Sequence, residues 1–166
     1  YIYNDLLTIS GGFHGDPVYR HEQEDARFTG AEWQLDYDVT GGLQWFLRAD
    51  VVHARLKDGS NKNLPRTPPL TTSTGVKWFS SNWLVNADVK YYAEQSEVAD
   101  NESVTSAYTV INFYAAYTQP LPSSSIQYYL KAYNLADEFG RNHVSYLKEY
   151  SPVMGRNIDL GVKFTF

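Results

Sequence analysis

The chain has 166 residues, a formal net charge of −5, and an aromatic content of 16%. That length is typical of about one domain, and the acidic balance excludes the basic stripe of a nucleic-acid-binding protein. Cysteine is absent, which excludes disulfide and thiolate chemistry, and no apolar run is long enough for a transmembrane helix.

Apolar and polar residues alternate with period two in one segment after another, which predicts β-strands. The predicted strands cover residues 1–10, 31–39, 43–51, 83–93, 108–118, 125–134 and 157–166. A Pro-rich stretch that returns into another strand brings the expected number to about eight. Helical periodicity fits none of these segments, so the predicted fold class is all-β.

Short and long connections alternate between the predicted strands. Turn-like links occupy residues 40–42, 80–82 and 119–125, and longer polar stretches occupy residues 11–16, 57–69, 97–104 and 139–151. Short turns at one end and long loops at the other indicate an antiparallel up-and-down meander, as in outer-membrane barrels. The mean hydropathy of −0.44 is compatible with such a barrel, because half of each strand faces a polar lumen.

Large aromatic residues fall near the strand ends on the apolar face, where the interfacial girdles of a membrane barrel lie. They are Trp33, Trp45, Trp78, Trp83, Tyr117, Phe164 and Phe166. A soluble meander would need a second layer to cover that face, and no segment of the sequence supplies one. The pattern favours a transmembrane β-barrel, with a soluble β-sandwich binding module as the alternative.

The last predicted strand shows the division into two faces most clearly. Its apolar side consists of Ile158, Leu160, Val162, Phe164 and Phe166. We expect these side chains to face lipid as the closing strand of a barrel, with Phe166 at the periplasmic interface. On the opposite, lumenal faces of the strands we expect cross-strand ion pairs. The residues concerned are Arg48, Asp50, Asp88, Lys90, Lys131 and Lys163.

The stretch YYLKAYNLADEFGRNHVSYLKEYSPVMGRNIDLGVKFTF resembles the C-terminal end of TonB-dependent outer-membrane receptors. The shared pattern is an N-L-x-D turn, a long loop, and P-x-x-G-R before the final strand. The matching residues are Asn134, Leu135, Asp137, Pro152, Gly155, Arg156 and Phe166. Earlier, ARFTGAE resembles the A-x-F-x-G-x-E strand of the family, and LPRTPPLTTSTGVKW resembles its Pro-rich loop.

The resemblance implies an active-transport receptor in the outer membrane of a Gram-negative bacterium, which imports a scarce ligand with energy from TonB. Such receptors have a 22-stranded barrel with a plugged lumen. No plug domain, TonB box or signal peptide is recognisable, so residues 1–166 are expected to form the C-terminal portion of that barrel. A passive porin-like channel remains the alternative function.

Three kinds of partner follow from the resemblance. They are outer-membrane lipid, TonB acting through the plug domain, and the barrel-assembly machinery, which is expected to recognise the aromatic C-terminal strand. No nucleic acid and no bound cofactor are expected. Nothing indicates an enzyme, because the sequence has no nucleophile elbow, phosphate loop or HExxH motif.

Histidines and carboxylates in the predicted external loops form the candidate metal site. His14 and His21 flank the first long loop, which also holds Asp16, and His143 lies in the last one. Imidazole with carboxylate suits zinc or a similar divalent ion. The stretch PVYRHEQEDARFTG also resembles the zinc-uptake branch of the family. The transported ligand is therefore expected to be zinc or a metal chelate such as a siderophore; the alternative is that these histidines are ordinary hydrated residues.

Overall fold

The computed structural model describes residues 2–7, 18–57, 62–100 and 102–166. The strands in those ranges are β1 (Ile2–Leu7), β2 (Val18–Gln23), β3 (Ala26–Thr40), β4 (Leu43–Leu56), β5 (Thr71–Phe79), β6 (Trp83–Tyr92), β7 (Tyr108–Pro120), β8 (Ser125–Tyr133) and β9 (Asn157–Thr165). β1 and β2 form a two-stranded sheet, and β3 to β9 form a seven-stranded antiparallel sheet in chain order. The described ranges contain no helix capable of crossing a membrane.

The predicted all-β, up-and-down fold is confirmed. β2 is the strand that the sequence did not predict, because Val18–Gln23 carries polar residues on both faces and so lacks apolar alternation. β3 and β4 also extend farther than predicted at the long-loop end, to Ala26 and Leu56. Their backbone ladder continues there after the apolar alternation has ended.

The register of the seven-stranded sheet places the apolar residues of neighbouring strands opposite one another, which joins them into a single apolar face. One row across the sheet runs through Leu43, Trp78, Val85, Ala115, Leu130 and Leu160. Two side chains of this row are exposed, Trp78 at 41% and Leu160 at 80%. On β9, the predicted face of Ile158, Leu160, Val162 and Phe164 pairs with β8 along its whole length.

Most of the predicted aromatic girdle lies at the short-turn end of the apolar face. Trp83 and Tyr117 pair across β6 and β7 with ring centroids 4.9 Å apart, and Phe164 and Phe166 lie 5.8 Å apart. Trp33 does not belong to this belt. It lies seven residues from the end of β3 at Thr40, which is roughly 23 Å along the strand.

The opposite, polar face holds fewer ion pairs than the sequence predicted. Arg48 pairs with Asp36 across β3 and β4 at 3.1 Å. Asp88 instead accepts hydrogen bonds from Asn86 and Asn112, at 2.9 and 2.8 Å. Two of the remaining cations lie over tyrosine rings, with Lys90 Nζ 5.0 Å from the Tyr92 centroid and Lys131 Nζ 5.2 Å from the Tyr129 centroid.

Two rings on the polar face cover glycines on the neighbouring strand. Phe46 opposes Gly75, and a Cβ at Gly75 would lie 2.8 Å from the Phe46 ring and 2.4 Å from the Ala87 carbonyl oxygen. Tyr129 opposes Gly161 in the same way. Such cross-strand cover restores packing that a strand glycine lacks, so these glycines strengthen the register instead of weakening it.

Candidate functional site

Three long connections converge at one end of the seven-stranded sheet. We call them the loop cluster; it consists of the described residues within 57–70, 93–107 and 134–156. The last of these loops packs on the polar face, because a Cβ at Gly140 would lie 2.5 Å from the Tyr108 ring. Tyr108 in turn stacks on Tyr92 of β6, with centroids 4.5 Å apart. The loop cluster therefore folds over the side of the sheet that carries the polar residues.

Asn134 fixes the base of the last loop. It is fully buried and has a positive φ of 50°, a conformation that asparagine tolerates better than most residues. Its Nδ2 donates to the carbonyl oxygens of Glu138 and Met154 at 2.9 and 3.1 Å, and its Oδ1 accepts from the Glu138 amide at 2.9 Å. One side chain thus joins the outgoing and the returning arm of the loop.

Asp137 forms the second link across the base of this loop. Its Oδ1 accepts from the Arg156 amide at 2.8 Å, and its Oδ2 lies 3.8 Å from an Arg156 nitrogen. A Cβ at Gly155 would lie 3.1 Å from Asp137 Oδ1, so a larger residue there would displace this carboxylate slightly. Asn134 and Asp137 belong to the N-L-x-D and P-x-x-G-R pattern that was found by resemblance. The structure shows that this pattern closes the loop at its base, and we call it the loop clasp.

A buried polar core built around Glu102 joins the three loops. Lys148 Nζ donates to Glu102 Oε1 at 2.9 Å, and the backbone amides of Arg66 and Ala99 donate to its two carboxylate oxygens at 2.9 and 3.2 Å. His143 Nε2 lies 3.2 Å from Oε1. The side chains of Glu102 and Lys148 are only 9% and 8% exposed, so this ion pair is shielded from water.

These contacts lower the pKa of Glu102. Burial by itself would raise that pKa, but the His143 ring, the Lys148 ammonium and the two backbone amides outweigh it and bring the value to about 2. Glu102 is therefore ionised throughout the neutral range, and it compensates the charge of Lys148 inside the loop cluster.

Gln95 and Thr105 connect the first two loops. Their backbone groups form an isolated bridge, with both N–H groups donating to the opposite carbonyl at 2.9 and 3.2 Å. The Gln95 side-chain amide donates to the Thr67 carbonyl oxygen at 2.9 Å. Thr105 Oγ1 lies 2.9 Å from His143 Nδ1, which continues the connection into the last loop. Each loop is thereby held by the other two.

The loop cluster leaves a cleft of about 380 Å³ between its second and third loops. The lining combines apolar side chains with opposite charges; it comprises Val104, Thr105, Ser106, Phe139, Gly140, Arg141 and Glu149. Phe139 is 66% exposed, and the Arg141 guanidinium lies 5.8 Å from its ring centroid. Arg141 is held in place by the carbonyl oxygens of Lys148 and Glu149, at 3.0 and 2.8 Å. The cleft thus offers an aromatic surface beside a positioned cation, whose guanidinium also lies 3.4 Å from the Glu149 carboxylate.

The structure places the predicted metal-site residues as follows. His143 is 2% exposed, and its two ring nitrogens face Thr105 and Glu102. His21 lies in β2, where its backbone pairs with Asn4 of β1. His14 and Asp16 lie outside the described residues. Within the described ranges, no three His, Cys, Asp or Glu side chains are grouped so that they could hold a metal ion.

Sequence reasoning missed Glu102, Lys148 and Thr105, which are central to the loop cluster. They lie in irregular segments, where neither period-two alternation nor residue type indicates burial. Only the pattern around Asn134 gave a signal, through the resemblance that included it.

A seven-stranded meander with one continuous apolar face, short turns at one end and long interlocked loops at the other defines a segment of a transmembrane β-barrel. The family model described as TonB dependent receptor-like, beta-barrel, matches residues 1–135. The chain belongs to this family.

Two solved structures share its fold. "Copper transporter OprC" matches with a TM-score of 0.81 and 18% identity, over 100% of this chain and 27% of that chain. The ferric yersiniabactin uptake receptor FyuA from Yersinia pestis matches with a TM-score of 0.58 and 18% identity, over 85% of this chain and 24% of that chain. The chain thus spans about a quarter of the length of these receptors.

Family membership confirms the predicted outer-membrane location and the expectation that the chain is not an enzyme, and it excludes the soluble β-sandwich. From the general architecture of such barrels, we expect the apolar face to meet lipid and the polar face to line the lumen. Because their long loops are extracellular, we expect the loop cluster to lie on the outside of the cell, over the lumen.

Proposed function

We propose that this chain is the C-terminal portion of the barrel of an outer-membrane active-transport receptor. The receptor captures its ligand at the extracellular loops and imports it with energy that TonB delivers through a plug domain. The observation that carries the proposal is the interlocked loop cluster over the lumenal face of a barrel of this family. Three loops joined by a buried ion pair provide a preorganised ligand-binding surface.

For the ligand we propose a metal chelate, as an extension of the metal specificity that the sequence suggested. The cleft beside Phe139 and Arg141 offers a ring face and a guanidinium, which together suit an anionic, partly aromatic organic molecule. Its volume of about 380 Å³ lies in the usual range for small-molecule sites. The two solved receptors are named for copper and ferric yersiniabactin, so metal-bearing ligands occur among proteins of this fold.

Free zinc is the second candidate ligand, and the first external loop is the feature that favours it. His14 and Asp16 from this loop, together with His21 from the adjoining strand β2, would supply nitrogen and oxygen ligands. Titration of the complete receptor with zinc chloride in a calorimeter, with a His14→Ala/His21→Ala variant beside it, tests this candidate. Zinc binding that is lost in the variant would favour the free ion over the chelate.

We expect Phe139→Ser to weaken ligand capture about tenfold, because the substitution removes the ring face of the cleft. Uptake by cells that express the complete receptor would be measured with a panel of radiolabelled ferric and cupric chelates and with labelled zinc chloride. Tyr150→Ser is the matched control: Tyr150 lies in the same loop and is 87% exposed, but it does not line the cleft. Equal uptake by the Phe139 variant and the wild type would refute the assignment of the cleft.

The same uptake assay separates active transport from the porin-like alternative. An uncoupler that collapses the proton gradient should abolish accumulation if TonB supplies the energy. Uptake that continues unchanged in the presence of the uncoupler would instead support a passive channel.

A further inference from the structure

On β3 and β4 the apolar residues of the outward face end before the long loops, and charged residues follow them. Outward-facing apolar residues run along β4 from Leu43 to Val51, which is about the nine-residue length of a strand that crosses the hydrocarbon layer. Val51 opposes Ala31, and beyond this pair, toward the long loops, Arg27 and Arg55 face each other in register. The two arginines lie four residues past the last apolar pair, roughly 13 Å along the strands. That is the level at which lipid headgroups meet the extracellular solvent.

Glu97 compensates the charge of Arg55, whereas Arg27 has no ion pair among the described residues. Glu97 reaches the outward face from the second long loop, with Oε1 3.2 Å from Arg55 and Oε2 2.9 Å from His53. Both of its carboxylate oxygens therefore contact β4. Arg27 is exposed and forms no ion pair with any side chain in the described part of the chain. The carboxylates of Glu24 and Asp25 come before Arg27 in the strand direction, farther from the apolar face.

Two arginines directly opposite each other on one face repel, and the single carboxylate of Glu97 offsets only one of the two charges, so a further anion between them would be stabilised. Cross-strand partners have Cβ atoms about 5 Å apart, so both guanidinium groups can reach one phosphate. Guanidinium is also the side-chain group whose planar geometry best matches phosphate oxygens. Because the site adjoins the lipid-facing surface, the anion most readily at hand is a lipid phosphate.

We propose that Arg27 and Arg55 bind the phosphate group of an anionic lipid in the outer leaflet, with His53 at the edge of the site. The bound lipid lies against the apolar residues of β3 and β4 and places its phosphate between the two arginines. This site is independent of the transported ligand, since it lies on the outside of the barrel and the cleft lies over the lumen.

Native mass spectrometry of the complete receptor tests the proposal, with phosphatidylglycerol as the anionic probe and phosphatidylcholine as the zwitterionic one. We expect the wild type to retain phosphatidylglycerol preferentially. Arg27→Gln/Arg55→Gln should weaken its binding roughly thirtyfold, because each arginine near an anionic lipid surface contributes about a fivefold gain in affinity. Phosphatidylcholine binding should not change.

The control is Lys131→Gln/Lys163→Gln, which removes the same charge from the polar face and should alter phosphatidylglycerol binding less than twofold. Equal losses of phosphatidylglycerol binding in the two double variants would contradict the proposed site. A wild-type receptor that shows no preference for the anionic lipid would contradict it as well. Displacement of the lipid by excess inorganic phosphate would assign the arginines to a soluble anion instead. The Arg27→Lys/Arg55→Lys variant tests whether the Gln variant loses binding only because it misfolds. It keeps both charges, so it should bind phosphatidylglycerol better than the Gln variant does.

Discussion

Replacing Glu102 by alanine should destabilise the loop cluster by about 3–5 kcal/mol, because the substitution leaves the buried Lys148 ammonium without its counter-charge. The backbone amides of Arg66 and Ala99 lose their acceptor at the same time. Hydrogen exchange of the complete receptor, followed by mass spectrometry, should show backbone amides within 62–70, 95–107 and 140–150 exchanging a hundredfold faster or more.

Glu138→Ala is the matched control for this variant. Glu138 lies in the same loop cluster and is exposed, and its contacts in the clasp involve only its backbone. Replacing Glu138 by alanine should change the stability of the loop cluster by no more than about 0.5 kcal/mol. If the Glu102→Ala and Glu138→Ala variants show the same rates of backbone hydrogen exchange, the ion pair between Glu102 and Lys148 is not what joins the three loops.

The lowered pKa of Glu102 also predicts a response to acid. A carboxyl group whose folded pKa is depressed stabilises the fold above its unfolded pKa, here 4.5, and loses that contribution as the pH falls through the folded value of about 2. The difference of about 2.5 units corresponds to about 3 kcal/mol. Pepsin should therefore cleave within residues 134–156 increasingly as the pH falls from 4.5 to about 2. In a Glu102→Gln variant, this increase in cleavage with falling pH should be absent.

Leu35→Arg should cost about 2–4 kcal/mol of barrel stability, because it places a charge on the lipid-facing side near the middle of β3. Leu35 opposes Leu47 of β4 and is 38% exposed on the apolar face, which we expect to meet the hydrocarbon of the membrane. The measurement is a urea titration of the barrel in phospholipid vesicles, monitored by tryptophan fluorescence.

Its neighbour Gln34 provides the control, since the two side chains point to opposite faces of the same strand. Gln34 contacts Asp36 at 2.7 Å on the polar face, where an arginine finds water and a carboxylate. Gln34→Arg should change the stability by less than about 1 kcal/mol. A larger cost for Gln34→Arg than for Leu35→Arg would reverse the assignment of the two faces.

Alternation with period two was sufficient to predict most of the strands, because each has one lipid-facing side that must be apolar. It failed for Val18–Gln23, where both faces are polar and pairing with β1 through the backbone decides the structure. Alternation also gives the face of a residue but not its depth in the membrane, so it could not tell at which end of the apolar face Trp33 lies. Depth depends on the register between strands, which follows from long-range pairing.

The site was much less predictable than the strands. A buried ion pair such as Glu102 with Lys148 joins residues 46 positions apart in irregular segments, and no local rule connects them. His143 was chosen as a metal ligand from its residue type alone. Its near-complete burial follows from how three loops pack together, which the sequence of one loop does not reveal. The zinc assignment stays a prediction that rests on the first external loop.

The loop clasp has a consequence for how such receptors diversify. Asn134 and the Asp137–Arg156 contact hold the two ends of the last loop together, whatever lies between them. Lengthening a loop whose ends are already joined costs little, about 0.6 kcal/mol for each doubling. Insertions and deletions between Phe139 and Ser151 that leave His143 and Lys148 in the buried polar core can therefore accumulate without disturbing β8 or β9. The recognition surface is free to follow a changing ligand, while the wall of the barrel stays constant.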